Sequence, residues 1–261
     1  MVDSITILGG RGRDGSEEPV RVINFKMGDI ASIVGPTGSG KTTLINDIEL
    51  FADANTPSQR RILINGNPPS PEFRDNPAFN PIALITQHTT FLSDLPVGEF
   101  LTIHTKIRSE RARNTDYFLQ KTLSFANQLT GEPIMVHSKM TELSGGQTRA
   151  LLIADATIIC ETPIILLDEV ENAGIHRNKA IELLREYKKI FIFVTHDPRI
   201  ALLSDYRIVV KEGAISKVLF TDEYEHKFAQ KVSKLDDILS ELRNRIRVGE
   251  RITNDCLAGI L

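Results

Sequence analysis

The run Gly35-Pro36-Thr37-Gly38-Ser39-Gly40-Lys41-Thr42-Thr43 constrains this chain more than any other stretch. It follows an apolar run, Ile30 to Val34, with the composition of a buried strand, and leads into a helical stretch beginning near Lys41. Strand, glycine-rich turn and helix form the setting in which G-x-x-x-x-G-K-[ST] cradles phosphate. The glycines allow a tight turn whose backbone N–H groups point inward, and the helix start adds the positive end of its dipole. Lys41 is then placed for the β- and γ-phosphates of a nucleotide, and the Thr42 hydroxyl for Mg²⁺. The alternative is a strand-to-helix turn that binds nothing. It is disfavoured because both the residues and the flanking elements are present.

With 261 residues, the chain can bury a large α/β core without metal or disulfide staples. Cys160 and Cys256 lie far apart and show neither CxxC nor Cys/His ligand spacing, which predicts a reduced, cytosolic protein. The six histidines are scattered and add no metal site at this level of reading. A net charge of -3 and the absence of basic runs with interleaved aromatics argue against nucleic acid as a partner. No apolar run approaches the roughly 20 residues of a membrane-spanning helix, and the N-terminus lacks the pattern of a signal peptide. Any membrane link is therefore expected to come through a partner.

Alternation predicts strands at Ser4 to Leu8 and Val20 to Phe25, separated by a Gly/Arg/Asp loop from Gly9 to Glu18. After a helix from Lys41 to about Phe51, a strand from Arg60 to Ile64 ends at the turn pair Asn65-Gly66. Five of the twelve prolines fall between Asn67 and Pro81, so that stretch reads as a loop, followed by a strand at Ile82 to Ile85. From Pro96 to about Glu132 the period becomes helical, which marks an insertion. Helix and strand then alternate: a helix at Gly146 to about Ile159, a strand at Ile164 to Leu167, a helix at about Arg177 to Lys188 and a strand at Ile190 to Val194. This repetition predicts a mostly parallel sheet flanked by helices, closed by a hairpin at Arg207 to Val210 and Ala214 to Leu219. The tail from about Tyr224 to Arg247 carries a helical apolar stripe that fits either packing on its own domain or docking to another chain.

Two further stations carry chemistry. The apolar run Ile164 to Leu167 ends in Asp168-Glu169, at the strand end where α/β sheets bind ligands. Asp168 suits Mg²⁺, and Glu169 suits polarising a water for in-line attack on the γ-phosphate. Leu143-Ser144-Gly145-Gly146-Gln147 supplies a second glycine pair at a helix start, either as an anion site of backbone N–H groups or simply as a helix cap with Ser144 and Gln147 in a capping box.

With these motifs together, the chain resembles an ATP-binding cassette (ABC) ATPase over about residues 1 to 220. Gly35 to Thr43 matches Walker A, Leu143 to Gln147 the LSGGQ signature, and Ile164 to Glu169 Walker B. Gln87 matches the Q-loop glutamine, and His196 in Val194-Thr195-His196-Asp197 the switch histidine, all in the family's order. The resemblance implies an α/β P-loop NTPase: a mostly parallel sheet core, an antiparallel β subdomain and an inserted helical subdomain. On that basis residues 1–222 form the cassette, with the helical part at about 88–148, and 223–261 a C-terminal helical extension. It implies ATP and Mg²⁺ as cofactors, with Thr42, Gln87 and Asp168 at the metal and Glu169, His196 and Gln87 in catalysis. It also implies a head-to-tail pair in which Ser144, Gly145 and Gly146 of one chain meet the γ-phosphate held by the other. Separate transmembrane subunits, at the inner face of a membrane, or a soluble protein client would complete the assembly.

Departures from the family pattern are equally specific. The loop Gly9 to Glu18 lacks the aromatic residue on which such cassettes usually stack adenine; Arg11 or Arg13 offers a guanidinium plane instead. After Walker B the chain reads Val170-Glu171-Asn172-Ala173-Gly174-Ile175, so Ile175 stands where the D-loop aspartate is expected. Transport is the leading function, with action on a soluble protein partner as the alternative. A nucleotide-gated binding module with little turnover is disfavoured by the presence of both Glu169 and His196.

Overall fold

A computed structural model of the chain describes residues 2–108, 114–169 and 177–252. The chain opens with antiparallel strands β1 (Ser4–Leu8) and β2 (Val22–Lys26), whose inward residues Ile5, Ile7, Ile23 and Phe25 are buried. It continues through β3 (Ile30–Val34), the phosphate loop and α1 (Lys41–Glu49). β4 (Arg61–Ile64) then returns to pair with β1, completing a three-stranded antiparallel sheet in the order β2-β1-β4.

The proline-rich stretch is not wholly a loop, because α2 (Pro71–Asp75) lies within it. The Ser70 hydroxyl accepts from the Glu72 N–H at 3.3 Å and Pro71 opens the helix, where its missing N–H costs nothing. Next come β5 (Ile82–Ile85) and three helices, α3 (Val97–Ile107), α4 (Thr115–Leu129) and α5 (Gly145–Ala154). The helix expected to run unbroken to Ile159 widens into a π-helical turn over Asp155–Ile159. β6 (Ile164–Asp168), α6 (Arg177–Glu186) and β7 (Ile190–Val194) follow. The short α7 (Pro198–Leu203) gives no apolar period long enough to read, and is set by Asp197 as its cap and Pro198 at its start. β8 (Tyr206–Lys211) and β9 (Ala214–Phe220) make the hairpin, and α8 (Glu223–Arg247) follows.

The main sheet runs β5-β6-β7-β3-β8-β9, with parallel pairing throughout except at the β8/β9 hairpin. Because the strand period is two, neighbouring residues serve opposite layers. Ile165, Leu167, Phe191 and Phe193 pack with Val97, Leu101, Phe125 and Leu151 of the helices. Leu166, Ile192, Val194 and Ile33 pack with α1 and the antiparallel sheet through Leu44, Ile48, Ile5 and Phe25. Each such fully buried side chain contributes about 1.5–3 kcal/mol of transfer free energy, so both layers hold the strand ends in register.

α8 lies against α7. That contact buries Ala229, yet Phe228, Leu235, Leu239 and Ile246 of its stripe remain exposed. Among the described residues no helix is long and apolar enough to cross a membrane.

Candidate nucleotide site

Four parallel strands that are neighbours in the sheet, β5, β6, β7 and β3, end on the same edge. The segments leaving them carry Gln87, Asp168-Glu169, Thr195-His196 and the loop from Gly35 to Thr43. The edge therefore assembles residues separated by more than 150 positions in sequence.

The phosphate loop needs glycine for stated reasons. Gly40, at φ +105, caps α1, and a Cβ there would meet the Cα of Gly213 at 2.9 Å. At Gly35 a Cβ would lie 2.2 Å from the Val210 carbonyl oxygen. The β8–β9 turn is thus pressed against the loop, and the Gly213 N–H donates to the Ser39 carbonyl at 2.7 Å. Lys41 is buried and folds back over the loop, its Nζ donating to the carbonyls of Gly35 (2.9 Å) and Pro36 (3.0 Å). Its ammonium therefore occupies the concave side that a polyphosphate would share. Among the described residues the buried Ser39 hydroxyl has no hydrogen-bond partner, an orphan polar group consistent with a site built for a polar ligand. Thr42 and Thr43 are exposed on the first turn of α1.

Asp168 ends β6, paired in register with Val194 of β7, and is half-buried. Glu169 follows with a left-handed backbone at φ +50, held by its N–H donating to the Val194 carbonyl at 3.0 Å. A non-glycine residue in that region carries about 1–3 kcal/mol of strain. The turn carries the Glu169 carboxylate to 3.8 Å from Nε2 of His196. Both side chains remain partly open, at 33% and 48% exposure, so each is accessible to a ligand. The loop bearing His196 is fixed from below, since the Thr195 N–H donates to the Ile33 carbonyl and the Asp197 N–H to the Thr195 hydroxyl.

Gln87 is exposed in a turn closed by Thr86 and Thr89. Its carbonyl accepts from the Arg149 guanidinium at 2.5 Å, which ties the segment after β5 to α5. Ser144 caps α5: its hydroxyl accepts from the Gln147 N–H, and the Gln147 side chain accepts from the Ser144 N–H at 2.9 Å. Gln147 also donates to the Pro133 carbonyl, while Ser144 and Gly145 are exposed. One copy thus gathers the phosphate loop, Asp168, Glu169 and His196 on one edge, with Gln87 on the adjoining strand. Ser144 to Gln147 instead belong to the helical layer. The segment Val170 to Ile175 lies outside the described residues.

Sequence reasoning missed the support beneath the loop. Arg60, fully buried, donates to Glu18 (2.6 Å), Asp47 (2.8 Å) and the Gly213 carbonyl (2.6 Å). Glu18 also accepts from the N–H groups of Gly10 and Ile215. This network joins the Gly9 to Glu18 loop, α1 and the hairpin tip. Arg13 lies over that tip, its Cγ 2.8 Å from where a Cβ on Gly213 would stand, and its N–H donates to the Glu212 carbonyl. Arg11 turns toward its own loop, donating to the Gly15 carbonyl. No periodic pattern marks partners 13 and 42 residues apart, so only the fold reveals them.

The oxygen donors here, the Thr42 hydroxyl and the Asp168 carboxylate, are of the hard type that suits Mg²⁺. Residues 22–172 match the family model described as ABC transporter. An uncharacterized ABC transporter ATP-binding protein of Methanocaldococcus jannaschii is 45% identical over 254 residues, covering 97% of this chain and 96% of that protein. The spermidine/putrescine import ATP-binding protein of Bacteroides fragilis is 30% identical over 204 residues, 75% of this chain but 42% of that longer protein. A dimeric ATP-binding cassette in a post-hydrolysis state, bound to ADP and Pi, shares the fold at a TM-score of 0.63 and 23% identity, covering 84% of this chain and 99% of that one. An ATP-binding cassette in its ADP conformation does so at 0.59 and 23%, covering 96% and 100%. The chain belongs to the ABC transporter family, as one of its ATP-binding cassettes.

Proposed function

We propose that the chain binds Mg-ATP and hydrolyses it between two copies arranged head to tail, driving a membrane transporter through separate spanning subunits. The observation that carries this reading is the sheet edge itself, where the phosphate loop, Glu169 and His196 converge from three adjacent strands. In this mechanism the loop N–H groups from Gly35 to Thr43 hold the phosphates, and Lys41 exchanges its carbonyl partners for β- and γ-phosphate oxygens. Thr42, Asp168 and Gln87 are the residues that would hold Mg²⁺, which when bound offsets phosphate charge. Glu169 accepts a proton from the attacking water as it approaches the γ-phosphate in line with the leaving group. His196 donates to a γ-phosphate oxygen, where negative charge must be held.

Ser144, Gly145 and Gly146 of the second copy close the site, a role that fits the exposure of Ser144 and Gly145 at a helix start in one copy, with Gly146 buried behind them. Arg13, over the hairpin tip beside the loop, takes the place of the missing aromatic against adenine. Glu169→Gln tests the assignment. It should bind ATP as tightly as the native protein while kcat falls about 10²–10⁴-fold, the range for loss of a general base; undiminished turnover would remove Glu169 from that role. Copurification from membranes with multispanning proteins supports transport, whereas recovery with soluble protein alone favours action on a soluble client.

A further inference from the structure

Away from the nucleotide site, the structure brings together three residues that are scattered in sequence: His104 on α3, Asp155 at the end of α5 and Cys160 just beyond the π-helical turn. One ligand atom from each lies within 4.8 Å of the others. His104 Nδ1 is 2.8 Å from Asp155 Oδ1, Cys160 Sγ is 3.7 Å from Asp155 Oδ2, and Sγ is 4.0 Å from His104 Nε2. The π turn is the cause of the alignment. In a regular α-helix, positions five apart do not stack, but here the Cys160 N–H donates to the Asp155 carbonyl at 2.9 Å, so the widened turn sets both side chains on one face. Such single widened turns inside α-helices are rare and occur frequently at functional sites.

We propose that His104, Asp155 and Cys160 form a binding site for a borderline-soft divalent transition metal, zinc in the first instance, with a fourth coordination position left to solvent. The donor set of imidazole, thiolate and carboxylate matches zinc ligation, and three protein ligands plus water is the pattern of an open zinc site. Tetrahedral zinc with bonds of about 2.0–2.3 Å places its ligand atoms roughly 3.5 Å apart. One imidazole nitrogen serves as ligand, and with Nδ1 in that role the 2.8 Å contact to Asp155 opens while Cys160 Sγ draws in, from a starting point in which one ligand atom of each residue already lies within 4.8 Å of the others. Asp155 is buried, which favours a charged partner over solvent. A metal ion bound there displaces the thiol proton and any proton on the ligating imidazole nitrogen, and releases them to solvent. Cys160 also lines a cavity of about 320 Å³ with Arg108, Thr162 and Pro163, which gives the open position a route outward.

The test uses the full chain, reduced, stripped with chelator and free of nucleotide, titrated with Co²⁺ and Zn²⁺. We expect one Co²⁺ per chain with a thiolate-to-cobalt charge-transfer band, displaced by Zn²⁺, and absent from His104→Ala and Cys160→Ser, both of which retain ATP binding. Absence of the band in the native protein, or its persistence in Cys160→Ser, overturns the site. A second measurement needs no variant: Zn²⁺ should slow alkylation of Cys160 by iodoacetamide at least tenfold, and an unchanged rate contradicts the proposal.

Discussion

At the scale of single residues, the proposed nucleotide site holds its charged groups in place within the chain, ready for phosphate. Lys41 spends its hydrogen bonds on the carbonyls of Gly35 and Pro36, so its role is electrostatic and its position inside the loop is already set. Lys41→Ala should abolish measurable ATP binding in equilibrium titration while leaving the thermal midpoint of the nucleotide-free protein nearly unchanged. Retained affinity would mean that the phosphates sit elsewhere. His196 stands 3.8 Å from Glu169 and reaches the site from β7. His196→Ala should lower kcat about 10²–10³-fold with little change in ATP affinity, the cost typical of one lost donor to a developing charge. A loss confined to affinity would assign it to ground-state binding instead.

At the scale of elements, the phosphate loop depends on a buried network that no local pattern announces. Arg60 satisfies Glu18 and Asp47 and the Gly213 carbonyl at once, linking α1 and the hairpin tip under the loop. Removing the guanidinium strands two buried carboxylates. Arg60→Ala should therefore cost about 3–5 kcal/mol in denaturant unfolding, and a change below 1 kcal/mol would show that water replaces it. β3, β6 and β7 are buried on both faces, and the edge strand β5 is apolar throughout though half-buried at Ala83 and Leu84, so all four appear as largely apolar runs, which is why their bounds were legible. α2 and α7 have five and six residues, too few to show a period, and are set by Ser70, Asp197 and the prolines after them. The π turn at Asp155–Ile159 is invisible for a related reason, since its five residues continue an apolar helix and only the shift to i→i+5 bonding distinguishes it. That turn is also why a histidine and a cysteine 56 residues apart, which carry no ligand spacing, come within 4.0 Å.

At the scale of the whole molecule, the motifs fall into two groups that one copy keeps apart. The sheet edge presents the phosphate loop, Asp168, Glu169 and His196, whereas the capped start of α5 offers Ser144 and Gly145 outward from the helical layer. The motif order was legible because each station is a short local pattern at a strand or helix end. The choice between Arg11 and Arg13 for the proposed adenine contact was not, because Arg13 reaches the loop only through the hairpin tip at Gly213, whose position depends on the complete sheet. In the proposed head-to-tail arrangement, a site divided in this way turns over only when two copies meet, so assembly is the property to measure. The most direct measurement is light scattering on Glu169→Gln during gel filtration, with and without Mg-ATP. Head-to-tail pairing predicts a mass near 29.1 kDa without nucleotide and twice that with it, whereas a monomer under both conditions, with ATP demonstrably bound, would contradict it.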